Sequence, residues 1–239
     1  VEGPQAVREA LAAGGLLELY TVDLDDPLAR AAASQGVEVV PVDAKVLGAL
    51  AETVTPQGLV GVARLLDVDL AVALAGSPRL VVVLHQVADP GNAGTVLRTA
   101  DAAGADAVVL TDGSVDPHNG KCVRATAGSL WHLPVVAGAP LLDVLARFRR
   151  TGGQVLATSG EGEDDLDELA DSGTLAAPTA WLFGTEAHGL PQEALTSADR
   201  RVRIPIRGRA ESLNLAAAAA VCLYASARAQ RHPAHGVLQ

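Results

Sequence analysis

Methionine is absent from this chain of 239 residues, aromatic side chains make up only 3 %, and there are just two cysteines. Each shortage excludes something. Without Met, Val1 is not expected to be the natural start of the chain. With so few rings, the core has to be built from Val, Leu and Ala. Cys122 and Cys222 lie far apart and form no C-x-x-C. That spacing speaks against a disulfide framework or a zinc site and fits a reducing cytosol. Every apolar run is broken by charge or glycine before it reaches membrane-spanning length, and no signal peptide opens the chain. A soluble, cytoplasmic protein with no membrane partner and no metal is expected.

Lysine is scarce too: of 18 basic residues only Lys45 and Lys121 are not arginine. The formal net charge of −10 argues against a nucleic-acid partner until its distribution is considered. Glu161, Glu163, Asp164, Asp165, Asp167, Glu168 and Asp171 form one acidic run, read as a solvated loop and helix face. Arg200, Arg201, Arg203, Arg207 and Arg209 form a basic cluster. Arginine offers planar, bidentate recognition of phosphate, so a local cluster outweighs the total. Arginines paired with surface acids are the alternative reading.

What the chain does have is apolar content, at 49 %, and length for two domains. Residues 1–64 read as a small α/β unit. A helix with the spacing Val7, Ala10, Leu11 stops at Gly14-Gly15, and strands and helices then alternate, implying a largely parallel sheet. Residues 65–78 show no clear pattern beyond a Gly76-Ser77-Pro78 turn and read as a linker. From Arg79, continuous β-branched runs such as RLVVVLHQV alternate with helices, as in a parallel, doubly wound domain buried on both faces. The last helix, entered through IPIRGRAESLN, is so rich in alanine that its backbone must lie close to a neighbour. The domain is expected over 79–232, with 233–239 a tail.

Three turns at the carboxyl ends of strands carry the polar residues. In DPGNAGTVLRTADAAGA (89–105), Asn92 can cap a helix that carries Arg98, and glycines let a phosphate approach the helix N-terminus. A plain βα turn with a surface arginine is the alternative. There is no G-x-G-x-x-G and no G-x-x-x-x-G-K-[ST] here, which disfavours a dinucleotide or P-loop site. In LFGTEAHGLP (182–191), Gly184 and Gly189 leave backbone groups bare for a flat heterocycle. Glu186 is a cap or holds a basic partner, and His188 reads as an exposed loop residue more than a general base. In the third turn, Ser212 or Asn214 satisfies free helix amides.

In order and spacing, D-P-G-N-x-G-x-x-x-R-T-A, F-G-x-E-x-x-G-L and I-P-x-x-G-x-x-x-S-L-N together resemble the SpoU/TrmH branch of the SPOUT RNA methyltransferases. The resemblance covers 79 to about 230, and EGPQAVREAL with VTPQGLVGVARL looks like the small RNA-binding domain often placed before it. It implies an α/β, parallel-sheet SPOUT domain with a C-terminal trefoil knot, which no periodicity argument would suggest. It also implies S-adenosyl-L-methionine as cofactor, held by Thr158, Leu182, Gly184, Gly189, Ile204, Ile206 and Leu213. Transfer to a ribose 2′-hydroxyl of structured RNA would involve Arg98, Asn92, Glu186, Ser212 and Asn214.

Large-subunit rRNA is favoured over tRNA, because the small domain looks like a module that grips folded RNA. A homodimer through the knotted domain is implied as well. Asn119, Lys121 and Arg124 are expected phosphate contacts, with a structural ion pair the alternative for Arg124, and Arg8 is a candidate on the small domain. Arg98 resembles a proposed general base, but a guanidinium stays protonated in ordinary surroundings, so holding a phosphate and stabilising the alkoxide is the better role. A non-catalytic RNA-binding protein and a nucleotide-dependent oxidoreductase are the competing readings. The first is disfavoured by the intact polar set and the second by the missing glycine fingerprint.

Overall fold

The computed structural model describes residues 1–185 and 188–231. Helix α1 (Pro4–Ala12) leads into β1 (Leu16–Thr21), α2 (Pro27–Ser34), β2 (Glu38–Pro41), α3 (Ala44–Leu50) and β3 (Leu59–Ala63). Asp26 caps α2 by accepting from the Leu28 amide at 2.7 Å, with Pro27 in the first turn, where a missing N–H costs nothing. The strand order is β2-β1-β3. β1 and β2 run parallel, as expected, but β3 runs antiparallel to β1. β3 is the one exception to the largely parallel arrangement expected. The short α3 and the loop after it join strand ends on the same side of the sheet, so the chain never crosses back. Val7, Ala10, Leu11, Leu19 and Leu59 form this unit's core.

Residues 65–78 are not a loose tether. They contain α4 (Leu70–Ala73), and the Val68 amide donates to the Val135 carbonyl at 3.0 Å. Ala73 and Leu74 are buried in the second core, because these apolar positions find a sheet face to cover.

The larger unit begins with β4 (Leu80–Leu84), α5 (Pro90–Ala103), β5 (Ala107–Thr111) and α6 (Gly120–Thr126). It continues through β6 (Val135–Ala139), α7 (Leu141–Arg149), β7 (Gln154–Thr158), β8 (Asp164–Asp165) and α8 (Leu166–Asp171). β9 (Thr179–Phe183), α9 (Gln192–Ser197), β10 (Arg200–Arg203) and α10 (Leu215–Arg231) complete it. The seven strands are all parallel, in the order β6-β5-β4-β9-β7-β10-β8.

β4, β5 and β9 are buried along their whole length. Their side chains alternate between two cores, as the two-residue period of a strand requires. Leu80, Val82, Leu84, Trp181 and Phe183 face α5, α6, α8 and α10, while Val81, Val83, Ala180 and Leu182 face α4, α7 and α9. The alanines of α10 earn their place here: Ala216, Ala219 and Ala227 are buried in the same core as Ala93, Ala100 and Ala103 of α5, so the two helices approach closely. Ser226 Oγ accepts from Trp181 Nε1 at 2.9 Å and ties α10 to the sheet. Burial pushes the Cys122 thiol up to about 12 and raises that of Cys222 as well, and both cysteines are free.

Candidate functional site

The helix of the first turn starts three residues earlier than the sequence suggests. Pro90 occupies the first helical position of α5, and Asp89 rather than Asn92 is the cap, its Oδ1 accepting from the Asn92 amide at 2.7 Å. Proline at that position has its φ already set for the helix and no N–H to satisfy, which moves the cap to residue 89. Lys121 Nζ donates to the other Asp89 oxygen at 2.9 Å. That bond, followed by the Asn92 amide, holds the Asp89 carboxyl below the usual carboxylate range. Arg98 lies two turns into α5, exposed, and forms no ion pair or hydrogen bond with any described residue.

The second and third turns wall a cavity of about 540 Å³ with the end of β7. Thr158, Gly184, Gly189, Ile204, Ile206, Ser212 and Leu213 all line it. Thr185 and Gly189 exchange backbone hydrogen bonds of 3.0 and 2.9 Å, and Gly189 takes the positive φ of 66° that this reversal needs. A Cβ on Gly184 would collide with the Gly189 carbonyl and the Leu190 amide, so only glycine lets the strand end pass so close to that turn.

Leu182 stands apart from the expected set. Its side chain is buried in the second core, and its contribution to the site is a carbonyl that accepts the Thr158 hydroxyl at 3.2 Å. The inward alternation of β9 turns residue 182 away from the cavity. Glu186 lies outside the described residues.

Asn214 joins the turns. Its Oδ1 accepts from the Ala216 amide at 2.8 Å, capping α10, and its Nδ2 donates to Asn92 Oδ1 at 3.1 Å. The segment that walls the cavity therefore also grips the helix bearing Arg98. Sequence reasoning missed Ser159, Gly160, Glu161, Thr185, Leu190, Leu195 and Glu211 in the lining. Only the turn-forming TSGEG stretch after β7 offered a signal for the first three.

The lining suits S-adenosylmethionine on three counts. Its volume falls in the range of about 300–1,000 Å³ usual for small-molecule sites. Ile206 and Leu213 present exposed apolar surface that a heterocycle would cover. Among the described lining residues the charged side chains are Glu161 and Glu211, with no lysine or arginine, which favours a cationic ligand.

The expected RNA contacts fare differently. Arg8 is exposed, with Nη1 donating to Gln5 Oε1 at 2.8 Å. Asn119 is instead the cap of α6, accepting from the Lys121 amide at 3.0 Å, and Lys121 is held by Asp89. Arg124 pairs with Glu2, and with Glu52 at 3.2 Å, so the ion-pair alternative is the one realised.

Four of the five arginines of the basic cluster are likewise engaged by the acidic run rather than left open. Arg200 meets Asp164 at 3.0 Å, Arg203 meets Asp165 at 3.2 Å and Arg207 meets Asp167 at 2.8 Å. Arg201 pairs with Glu163. The cause is strand order: β8 lies beside β10 and delivers the acids to the arginines. Exposed pairs of this kind are worth about 0–1 kcal/mol each, so they set charge more than stability.

His132 sits between two carboxylates, Nδ1 2.7 Å from Asp101 and Nε2 3.3 Å from Glu9. The Asp101 hydrogen bond, with Glu9 behind it, raises its pKa above the usual imidazole range although burial opposes this. A raised pKa contributes stability that is complete below the unfolded value of about 6.5 and is lost as pH rises through the folded one. Thermal unfolding of wild type against His132→Ala is therefore expected to show a larger gap at about pH 6 than at about pH 9. An equal gap at both would remove this role. His85, at the end of β4, shows the opposite shift: burial lowers it, and its neutral ring bonds Thr111 Oγ1 at 2.9 Å.

Among the described residues no helix is long and apolar enough to cross a membrane, and no group of three or more His, Cys, Asp or Glu could hold a metal ion. Two family models match the chain: the SpoU rRNA methylase family over residues 79–224, and the RNA 2′-O ribose methyltransferase substrate-binding model over 1–67. The 23S rRNA (guanosine(2553)-2′-O)-methyltransferase RlmP of Bacillus subtilis is 35 % identical, over 94 % of this chain and 86 % of its own length. The crystal structure of an AdoMet-bound rRNA methyltransferase from Sinorhizobium meliloti superposes with a TM-score of 0.82 at 34 % identity, covering 98 % of this chain and 87 % of that one. The SpoU methyltransferase AviRb of Streptomyces viridochromogenes, in complex with AdoMet, gives 0.86 at 28 % identity, over 98 % and 91 %. With its larger unit matched along nearly the whole length and its smaller unit matched as well, the chain belongs to the SpoU rRNA methylase family.

Proposed function

We propose that this protein methylates a ribose 2′-hydroxyl of 23S ribosomal RNA with S-adenosylmethionine as methyl donor. One observation carries the reading: residues 204–215 wall the cavity and, through the Asn214–Asn92 hydrogen bond, hold α5, the helix that bears Arg98. Cavity and cation are thereby fixed in one piece of structure. The family membership and the AdoMet-bound relatives support the cofactor, the match of residues 1–67 to a substrate-binding model supports an RNA substrate, and the 23S rRNA methyltransferase among the relatives supports rRNA over tRNA.

S-adenosylmethionine bound in the cavity supplies a methyl group already activated by its sulfonium. This chain has to align the attacking oxygen and favour its ionised form. Arg98 holds the phosphate beside the target ribose and stabilises the developing alkoxide. Asn92 and Asn214 fix the register between α5 and the cavity wall, Ser212 meets the nucleotide, and Glu186 orients Arg98 or the RNA backbone. Gly184, Gly189, Thr158 and the Leu182 carbonyl bind the cofactor through the strand ends, with Ile204, Ile206 and Leu213 against its apolar face. Arg8 contacts RNA from the small domain.

The chain divides into an RNA-binding domain at 1–64, a connecting segment at 65–78 and a methyltransferase domain at 79–232 carrying a trefoil knot, and the tail expected at 233–239 lies outside the described residues. It acts in the cytoplasm as a homodimer. The exposed Val221 and Tyr224 on α10 are the apolar surface that a second copy would cover. Mapping ribose methylation across total RNA, with and without the gene, tests the reading. Loss of one 23S rRNA site is expected. A change confined to tRNA would overturn the substrate, and no change in any RNA would overturn the activity.

A further inference from the structure

The small unit meets the larger one along α6 and the turn behind it, at four positions spaced four residues apart: Gly120, Arg124, Gly128 and His132. Each receives a carboxylate-bearing side chain from the small unit. A Cβ on Gly120 would collide with the Glu52 carboxylate, and one on Gly128 with the Glu9 side chain, so both acids lie directly on the backbone at the two ends of α6. Gly128 also takes a φ of 101°, which L side chains rarely adopt. Between them Arg124 Nη1 pairs with Glu2 and Glu52. Beyond them His132 reaches Glu9 on one side and Asp101 of α5 on the other.

Glu2 is itself fixed, its second oxygen accepting from the Glu52 and Thr53 amides at 3.0 and 3.4 Å. Trp131 packs against the cores of both units at the same junction.

The helix gripped in this way is locked to α5. A Cβ on Gly94 would overlap the Cys122 carbonyl and lie 2.7 Å from Ala125 Cβ, so α5 and α6 touch backbone to backbone there. Lys121 of α6 binds Asp89, which caps the end of α5 that carries Asn92. One continuous set of contacts thus runs from the small unit's acids, through α6, to the helix of Arg98.

We propose that α6 registers the small unit against α5, with Arg124 as its positioning residue, so that RNA gripped by the small unit presents its ribose at Arg98. The inference rests on the RNA methyltransferase reading. Arg124 touches neither cofactor nor reacting atoms in this scheme. Its side chain is 31 % exposed and that of Glu2 only 12 %, so removing the cation leaves a largely buried carboxylate uncompensated.

The test uses the full chain labelled at Val54→Cys and Leu142→Cys, both highly exposed positions in different units, while Cys122 and Cys222 are buried. Single-molecule energy transfer between the labels reads the relation of the units, and methyl transfer to an unmodified 23S rRNA transcript reads its consequence. Arg124→Ala is expected to broaden the distance distribution and raise KM for the transcript roughly tenfold, with the S-adenosylmethionine Kd unchanged. Arg124→Lys, which keeps the charge, is expected to restore both. Glu9→Gln leaves α6 itself untouched and should shift both readouts the same way, to a smaller extent. An Arg124→Ala chain with wild-type distances and wild-type KM would overturn the proposal. Should the unaltered chain leave the transcript unmethylated, the functional reading falls while the distance measurement still decides the coupling.

Discussion

Arg98→Ala is expected to lower methyl transfer by about 10²–10³-fold, the loss that follows removal of a single donor to a developing oxyanion, and to leave S-adenosylmethionine affinity at the wild-type level. Two features of the site produce this split. Arg98 stands exposed on α5 without an ion pair or hydrogen bond to any described residue, so its removal breaks no structural network. Alanine is also the best helix former, and exposed substitutions of this kind change stability by about 0.5 kcal/mol or less. The cavity lining contains no part of Arg98, which is why binding of the cofactor is spared. Arg98→Lys is expected to fall between, because an ammonium keeps the charge but not the planar fork that suits a phosphate. Single-turnover methyl transfer with calorimetry on the same samples checks it. An Arg98→Ala enzyme with undiminished turnover would remove the proposed mechanism.

Gly184→Ala is expected to abolish the rise in melting temperature that S-adenosylmethionine gives the wild-type protein. The added methyl would run into the Gly189 carbonyl and the Leu190 amide, which are backbone atoms and cannot swing aside as a side chain can. The strand end and the turn must separate, at about 1–3 kcal/mol of stability for overpacking of this kind, and the cavity wall moves with them. Gly48→Ala on α3 provides the control, since its Cβ meets nothing within 4 Å and lies far from the site in the chain. Unfolding curves with and without the cofactor separate lost binding from lost stability. If Gly184→Ala kept the full cofactor-induced shift, the glycine would have no part in shaping the cavity.

The sequence was informative where chemistry is local. The β-branched runs at 80–84 and 107–111, the glycine stops and the turn residues were sufficient to place the parallel sheet and nearly every helix. The spacing of Asn92, Arg98, Gly184, Ser212 and Asn214 was sufficient to point to three turns at one edge and to the family. Even the close approach of α10 was legible, because a run of alanines leaves no side-chain bulk to hold a neighbour away.

Partner choice was not legible, because it depends on which distant segments the sheet order brings together. Asn214 meets Asn92 across 122 residues of chain. For the arginine cluster, phosphate recognition and pairing with surface acids both stood open, and the pairing with the acidic run arises because β8 lies next to β10. Arg124 could equally have met a phosphate, and it was the docking of the small unit that placed Glu2 beside it. The orientation of β3, the packing of residues 65–78 and the burial of the Leu182 side chain in the second core belong to the same class. By itself the sequence determined which backbone segments form and which chemical groups they carry. The tertiary structure alone decided which of those groups are spent on one another, because ion pairs and hydrogen bonds form between neighbours in space, and the order of strands in the sheet sets who those neighbours are.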